Sequence, residues 1–150
     1  EYAFENKQEE IISDMLHRCS FAGRKSVVIF CAGKSQAAEV HKSLRNRGFV
    51  AGLIDSDTPD DIRAEYVAEF KKGTFPFLVN VNILTEGFDA PCIDCVVLMR
   101  ATVSPGLYYQ MVGRGLRKFP GKANCLVLDY GENLDRHGPI DSIVIPKIAG

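Results

Sequence analysis

Tryptophan is absent from these 150 residues, histidine occurs three times, and the net charge is only −1. His17, His41 and His137 are scattered, with no carboxylate or cysteine at ligand spacing around them, so solvated or partly packed rings are expected instead of a metal site. The balance of 18 Lys and Arg against 19 Asp and Glu excludes a strong overall field for a polyanion. Any nucleic-acid contact has to come from local placement of cations. No apolar run reaches the roughly 18 residues that a membrane-spanning helix needs, and no signal-peptide pattern opens the chain; no membrane partner is expected. The five cysteines are an odd set without framework spacing. Cys31 and Cys125 fall in apolar runs, where cysteine acts as a small hydrophobe. Cys92-x-x-Cys95 invites a zinc or redox reading, but zinc takes about four ligands and there is no second pair. A reducing cytoplasm suits this cysteine usage.

Two further absences bear on chemistry. The chain has no Asp-Glu dipeptide, so no acid pair of that kind is available to hold a nucleotide's magnesium ion. Gly115 to Lys122 fails as a phosphate loop, because five residues separate Gly115 from Gly121 and Ala123 stands where Ser or Thr is needed. Gly113-x-Gly115 lacks the third glycine of a dinucleotide fingerprint. Neither a phosphate loop nor a dinucleotide fingerprint can be assigned within these residues.

What the chain does have is an alternation of strand-like and helix-like segments, with 46% hydrophobic residues, enough for one core. Ile11, Ile12, Met15 and Leu16 carry helical spacing over about residues 5–21. Ser26–Cys31 is a continuous apolar run, as in a central parallel strand. Ser35–Arg47 reads as a helix through Ala37, Ala38, Val40, His41 and Leu44, with Gly48 as its stop. A short strand follows over Phe49–Ile54. Thr58 and Pro59 then look like the cap and first residue of a helix that buries Ile62, Tyr66, Val67 and Phe70 and closes at Gly73. Further strands are expected at Phe77–Val81, Ile93–Met99 and Asn124–Asp129, and a helix from Ser104-Pro105 to about Arg114. The expected organisation is one domain over 1–150, with a leading helix in 1–22 and an extended tail in 131–150. Because the chain begins at Glu1 without an initiator Met, it is expected to be a piece of something longer.

Tyr109–Arg117 places Gln110, Gly113, Arg114 and Arg117 in the pattern Q-x-x-G-R-x-x-R. Two arginines three apart lie on one helical face and can aim two guanidinium forks at one polyanion. Upstream, Thr85-Glu86-Gly87-Phe88-Asp89 is a second segment of phosphate-binding character, though Gly, Asp and Pro91 also suit an ordinary turn. The two together resemble motifs V and VI of superfamily 2 helicases. From about Ser26 to Tyr130 the chain is similar to the second, C-terminal RecA-like domain of those motors. The wording is most like the DNA-directed branch, which holds the RadD-type repair helicases and the helicase subunits of type I and III restriction enzymes.

The resemblance implies an α/β RecA-like three-layer sandwich, with a mainly parallel central sheet and helices on both faces. It implies that Arg117 is an arginine finger, Arg114 a second γ-phosphate contact, and Gln110 a group that orients water or couples the site to the opposite domain. Gly87, Asp89 and Gly113 would line the nucleotide. Thr85, Gly33, Lys34 and Ser56 would meet a nucleic-acid backbone, DNA being expected; the acids flanking Ser56 work against that role. ATP and Mg2+ would be bound mainly by an N-terminal RecA-like domain of the same polypeptide. The alternatives are an RNA-directed helicase and a non-catalytic module that docks nucleic acid or protein, although a degenerate module has no reason to keep Gln110, Gly113, Arg114 and Arg117 together.

Overall fold

The computed structural model describes residues 2–81, 92–100, 112, 124–131 and 143–144. Helix α1 (Tyr2–Phe21) leads into strand β1 (Val27–Phe30), helix α2 (Lys34–Asn46), β2 (Ala51–Ile54), α3 (Asp60–Lys71), β3 (Phe77–Asn80), β4 (Cys95–Leu98), β5 (Leu126–Asp129) and β6 (Ile143–Val144). The strands form one sheet in the order β2-β3-β1-β4-β5-β6, and every neighbouring pair is parallel. This is the α/β sandwich expected of the sequence.

The apolar runs become strands because both faces of the sheet are covered. Side chains alternate along each strand. Val28, Phe30, Leu78, Val96, Leu98 and Val127 point to the face covered by Phe70 of α3 and by Val112. Val27, Ile29, Phe77, Val79, Cys95, Val97 and Leu128 point to the other face, where Ile12 and Met15 of α1 and Val40 and Leu44 of α2 pack. Phe30 and Phe70 are wholly buried, each contributing about 1.5–3 kcal/mol of transfer free energy.

The helices largely bury the expected positions, with two departures. Ala38 is exposed, and Ser43 is buried in its stead, its hydroxyl donating to Glu9 Oε1 at 3.0 Å. On α3 only Phe70 is fully buried; Tyr66 and Val67 pack at the margin, because α3 lies near the sheet edge formed by β2. Gly48 (φ 90°) and Gly73 (φ 86°) take the left-handed conformation that closes a helix, and the next residue's N–H returns to Leu44 O and Glu69 O, each at 3.0 Å.

Polar staples fix the helices and the amino edge of the sheet. The Asp94 carboxylate accepts from the backbone N–H of Lys25 (2.9 Å) and Ser26 (3.0 Å). Arg24 Nη1 donates to the carbonyls of Asp94 and Asn124, each at 3.1 Å. Helix α1 is tied to the end of β5 through Asp14 Oδ2, which accepts from Tyr130 Oη at 2.6 Å and from Arg18 Nε at 2.8 Å. Burial, and then the hydrogen bond to Asp14, hold the Tyr130 phenol well above the ordinary tyrosine range.

Tyr130→Phe is expected to cost about 1–2 kcal/mol at neutral pH, since it removes a hydrogen bond to a charged acceptor. A raised folded-state pKa stabilises fully below the unfolded value and is lost as pH rises above it, here beyond about pH 10. The gap between wild type and variant in urea melts therefore narrows above pH 10. A gap that stays constant would mean that the phenol proton does not matter.

Candidate nucleic-acid interface

Strands in register and all parallel end together. Ile54, Asn80, Phe30, Leu98 and Asp129 form the last row of the sheet, and the loops beyond them share the carboxyl edge, where ligands of open α/β sheets gather. Two of those loops, after β1 and after β2, are among the described residues and contain Gly33, Lys34 and Ser56.

The β1–α2 loop is braced at both ends. Cys31 N donates to Asn80 O and Met99 N to Phe30 O, each at 2.9 Å. The Gln36 side chain then folds back under the loop: its Oε1 accepts from Ala32 N at 2.7 Å and its Nε2 donates to Met99 O at 3.2 Å. Gln36, at the third helical position, thus ties down Ala32, the residue before the N-cap, while Gly33, the N-cap, has no side chain to offer. Gly33 is extended (φ −158°, ψ 171°), and a Cβ there would meet none of the described residues within 4 Å. The first turn of α2 beside it carries no acid. The positive end of a helix dipole and its unsatisfied N–H groups make such a place favourable for anions.

The β2–α3 loop is built around Asp55. Its Oδ1 accepts from Asp57 N at 2.8 Å, and Thr58 N donates to Asp55 O at 3.1 Å. Thr58 Oγ1 accepts from Asp55 N at 3.0 Å. The threonine therefore does not cap α3 as its place before Pro59 suggests. Pro59 is the N-cap and its ring has no hydrogen-bonding group to offer, while Thr58 is engaged in closing an Asx-type turn. Asp60 and Asp61 in the first turn of α3 offset the helix dipole instead.

The two loops meet. Lys34 Nζ lies 2.8 Å from Asp57 Oδ2, with 52% of the lysine side chain and 76% of the aspartate side chain exposed. The hydrogen bond and charge of Asp57, and then the charge of Asp55, raise the Lys34 ammonium above its ordinary range. Ser56 is exposed next to this pair. So the fold brings Gly33, Lys34 and Ser56 to one edge and joins their loops by an ion pair. Thr85, Gly87, Asp89, Gln110, Gly113, Arg114 and Arg117 lie outside the described residues. Val112, in the same stretch as the arginines, is helical and fully buried against the Phe30 face of the sheet.

Sequence reasoning missed three polar residues near this edge. One is Gln36, detectable as a Gln at the third position of a helix. The others are Asn80 and Asp129, each the polar end of an apolar run and each buried. Asn80 Nδ2 donates to Ile29 O at 3.0 Å, and its Oδ1 has no hydrogen-bond partner among the described residues. Gly131 N donates to Asp129 Oδ1 at 3.1 Å. Among the described residues, no group of three or more His, Cys, Asp and Glu side chains is placed to hold a metal ion, and no helix is long and apolar enough to cross a membrane. None of the five cysteines forms a disulfide. Burial pushes the Cys31 thiol up to about 12, as befits a core hydrophobe.

The model of the family described as "Helicase conserved C-terminal domain" matches residues 7–119, a span that takes in both Thr85–Asp89 and Gln110–Arg117. The chain is 40% identical over 129 residues to a Schizosaccharomyces pombe protein whose name describes a mitochondrial ATP-dependent helicase, irc3; the match covers 86% of this chain and 21% of that protein. It is 36% identical over 122 residues to the ATP-dependent helicase IRC3 of Saccharomyces cerevisiae, covering 81% of this chain and 18% of the relative. The chain thus spans about a fifth of the length of these relatives. Among solved structures, an HsdR subunit fragment of a type I restriction enzyme from Vibrio vulnificus aligns with a TM-score of 0.79 at 21% identity, over 96% of this chain and 32% of that one. The Escherichia coli DEAD-box protein SrmB aligns with a TM-score of 0.77 at 16% identity, over 95% and 85% of the two chains. These structural likenesses concern the fold.

Gln36→Ala is expected to free the Ala32 amide and cost about 1–2 kcal/mol for the two lost hydrogen bonds. Hydrogen exchange at the Ala32 amide reads this directly. The account predicts exchange at least about tenfold faster in the variant, with melting by urea shifted modestly. Unchanged protection would show that Gln36 does not brace the loop.

Proposed function

The chain belongs to the helicase conserved C-terminal domain family, and from that membership we propose that it is the second motor domain of an ATP-dependent superfamily 2 helicase or translocase. The observation that carries the proposal is the family match over residues 7–119, which includes the whole Gln110–Arg117 pattern. In this reading ATP and Mg2+ are bound mainly by an N-terminal RecA-like domain of the same polypeptide. This chain completes the pocket, with Gly87, Asp89 and Gly113 against the nucleotide and Gln110 placing water or linking the two domains. Arg114 and Arg117 face the γ-phosphoryl group, whose oxygens gather charge during transfer, and a well-aimed guanidinium stabilises that charge.

The nucleic acid lies across the carboxyl edges of both domains. On this side Gly33, Lys34, Ser56 and Thr85 hold its phosphates and sugars, a mode of contact with little sequence preference. Closure on ATP and opening after hydrolysis then shift the strand-holding loops of one domain relative to the other. DNA is the substrate we favour, because the Thr85–Pro91 and Tyr109–Arg117 wording is most like the DNA-directed branch. A reducing compartment such as the cytoplasm suits five cysteines with no disulfide. The RNA-directed alternative is separated by unwinding assays on matched DNA and RNA duplexes.

In the full-length protein, Arg117→Ala is expected to lower kcat for ATP hydrolysis by roughly 10³ while ATP binding stays within a few-fold. Normal kcat with a large loss of ATP affinity would make Arg117 a binding residue and remove it as the finger.

A further inference from the structure

The geometry points to Asp57 as a built-in competitor for the nucleic-acid backbone: its carboxylate occupies the Lys34 ammonium until a strand phosphate displaces it. This inference rests on the reading of Lys34 as a backbone contact and adds a second residue, with the opposite charge, that sets the strength of the contact. Three observations support it. Lys34 Nζ and Asp57 Oδ2 are 2.8 Å apart although one opens α2 and the other lies in the β2–α3 loop, so the pairing is a product of the fold and not of neighbouring sequence. Both side chains are half exposed or more, which leaves the ammonium open to a second anion and keeps the pair weak, as surface ion pairs are. The aspartate is also held in place, since Asp57 N donates to Asp55 Oδ1 at 2.8 Å and the turn is closed by Thr58.

A carboxylate at this position has physical consequences. Without it, an exposed lysine at the positive end of α2 would attract any passing polyanion. With Asp57 paired to the ammonium and Asp55 close behind it, that attraction is moderated. An isolated phosphate gains little by replacing Asp57. A strand already held at other points brings its phosphate at high effective concentration and can make the exchange. Asp57 thus tunes binding toward long strands that engage several contacts and against small anions.

The test is a double-mutant cycle in the full-length protein. Binding to a fluorescein-labelled single-stranded oligodeoxynucleotide of about 20 nucleotides is followed by anisotropy at fixed salt, since salt changes such affinities steeply. Lys34→Gln is expected to weaken binding. Asp57→Asn is expected to tighten it about two- to fivefold, the range of a surface ion pair. In the Lys34→Gln background, Asp57→Asn is expected to change nothing. Equal tightening in both backgrounds would reduce Asp57 to bulk charge and overturn the inference, as would no effect of Asp57→Asn in the wild-type background. If Lys34→Gln leaves affinity unchanged, the backbone-contact reading of Lys34 falls first and the competitor falls with it.

Discussion

The whole domain depends on parallel strands pairing in register under helices on both faces. Such a sheet has no solvated face, so its central strands must be apolar on both sides, and Val27–Phe30, Phe77–Val79 and Cys95–Leu98 are. The same constraint expels polar work to the strand ends. Staples collect at the amino edge, where Asp94 and Arg24 bind the starts of the strands together. Polar loops collect at the carboxyl edge, where the sheet brings Gly33 and Lys34 to the same edge as Ser56, which lies more than 20 residues further along the chain.

Much of this organisation could be read from residue order. Continuous apolar runs named the strands, glycines at 48 and 73 named two helix ends, and the motif wording named the family. The failures are equally physical. Thr58 before Pro59 has the chemistry of a cap, but a threonine hydroxyl can serve only one neighbourhood, and Asp55 claims it. Ala38 looked like core because alanine is apolar; packing against α1 chose Ser43, whose hydroxyl reaches Glu9. Gln36 went unnoticed because its value lies in reaching Ala32 and Met99 at once, and no local pattern shows the second contact. The ion pair between Lys34 and Asp57 is likewise a fact of topology, invisible until β1 and β2 are known to lie in one sheet with β3 between them.

Electrostatics then decides what kind of surface the edge is. A chain of nearly neutral charge cannot hold a polyanion by its overall field. It can do so only where local features such as a helix N-terminus and a cation coincide, and in the proposed reading Gly33–Lys34 is that place. The neighbouring acids moderate it. In the proposed motor this restraint has a use, because a domain that cycles must release its strand as readily as it grips it, and an interaction that is weak alone and effective in number meets both needs.

The central claim is that this domain adds arginines to a nucleotide that another domain holds. ATP turnover by the purified 150-residue chain, compared with the full-length protein under the same conditions, addresses it most directly. The account predicts no measurable hydrolysis by the chain alone, with or without DNA, and clear hydrolysis by the longer protein. Sustained turnover by the chain alone would contradict it, because the triphosphate grip and the magnesium site would then have to lie within these residues.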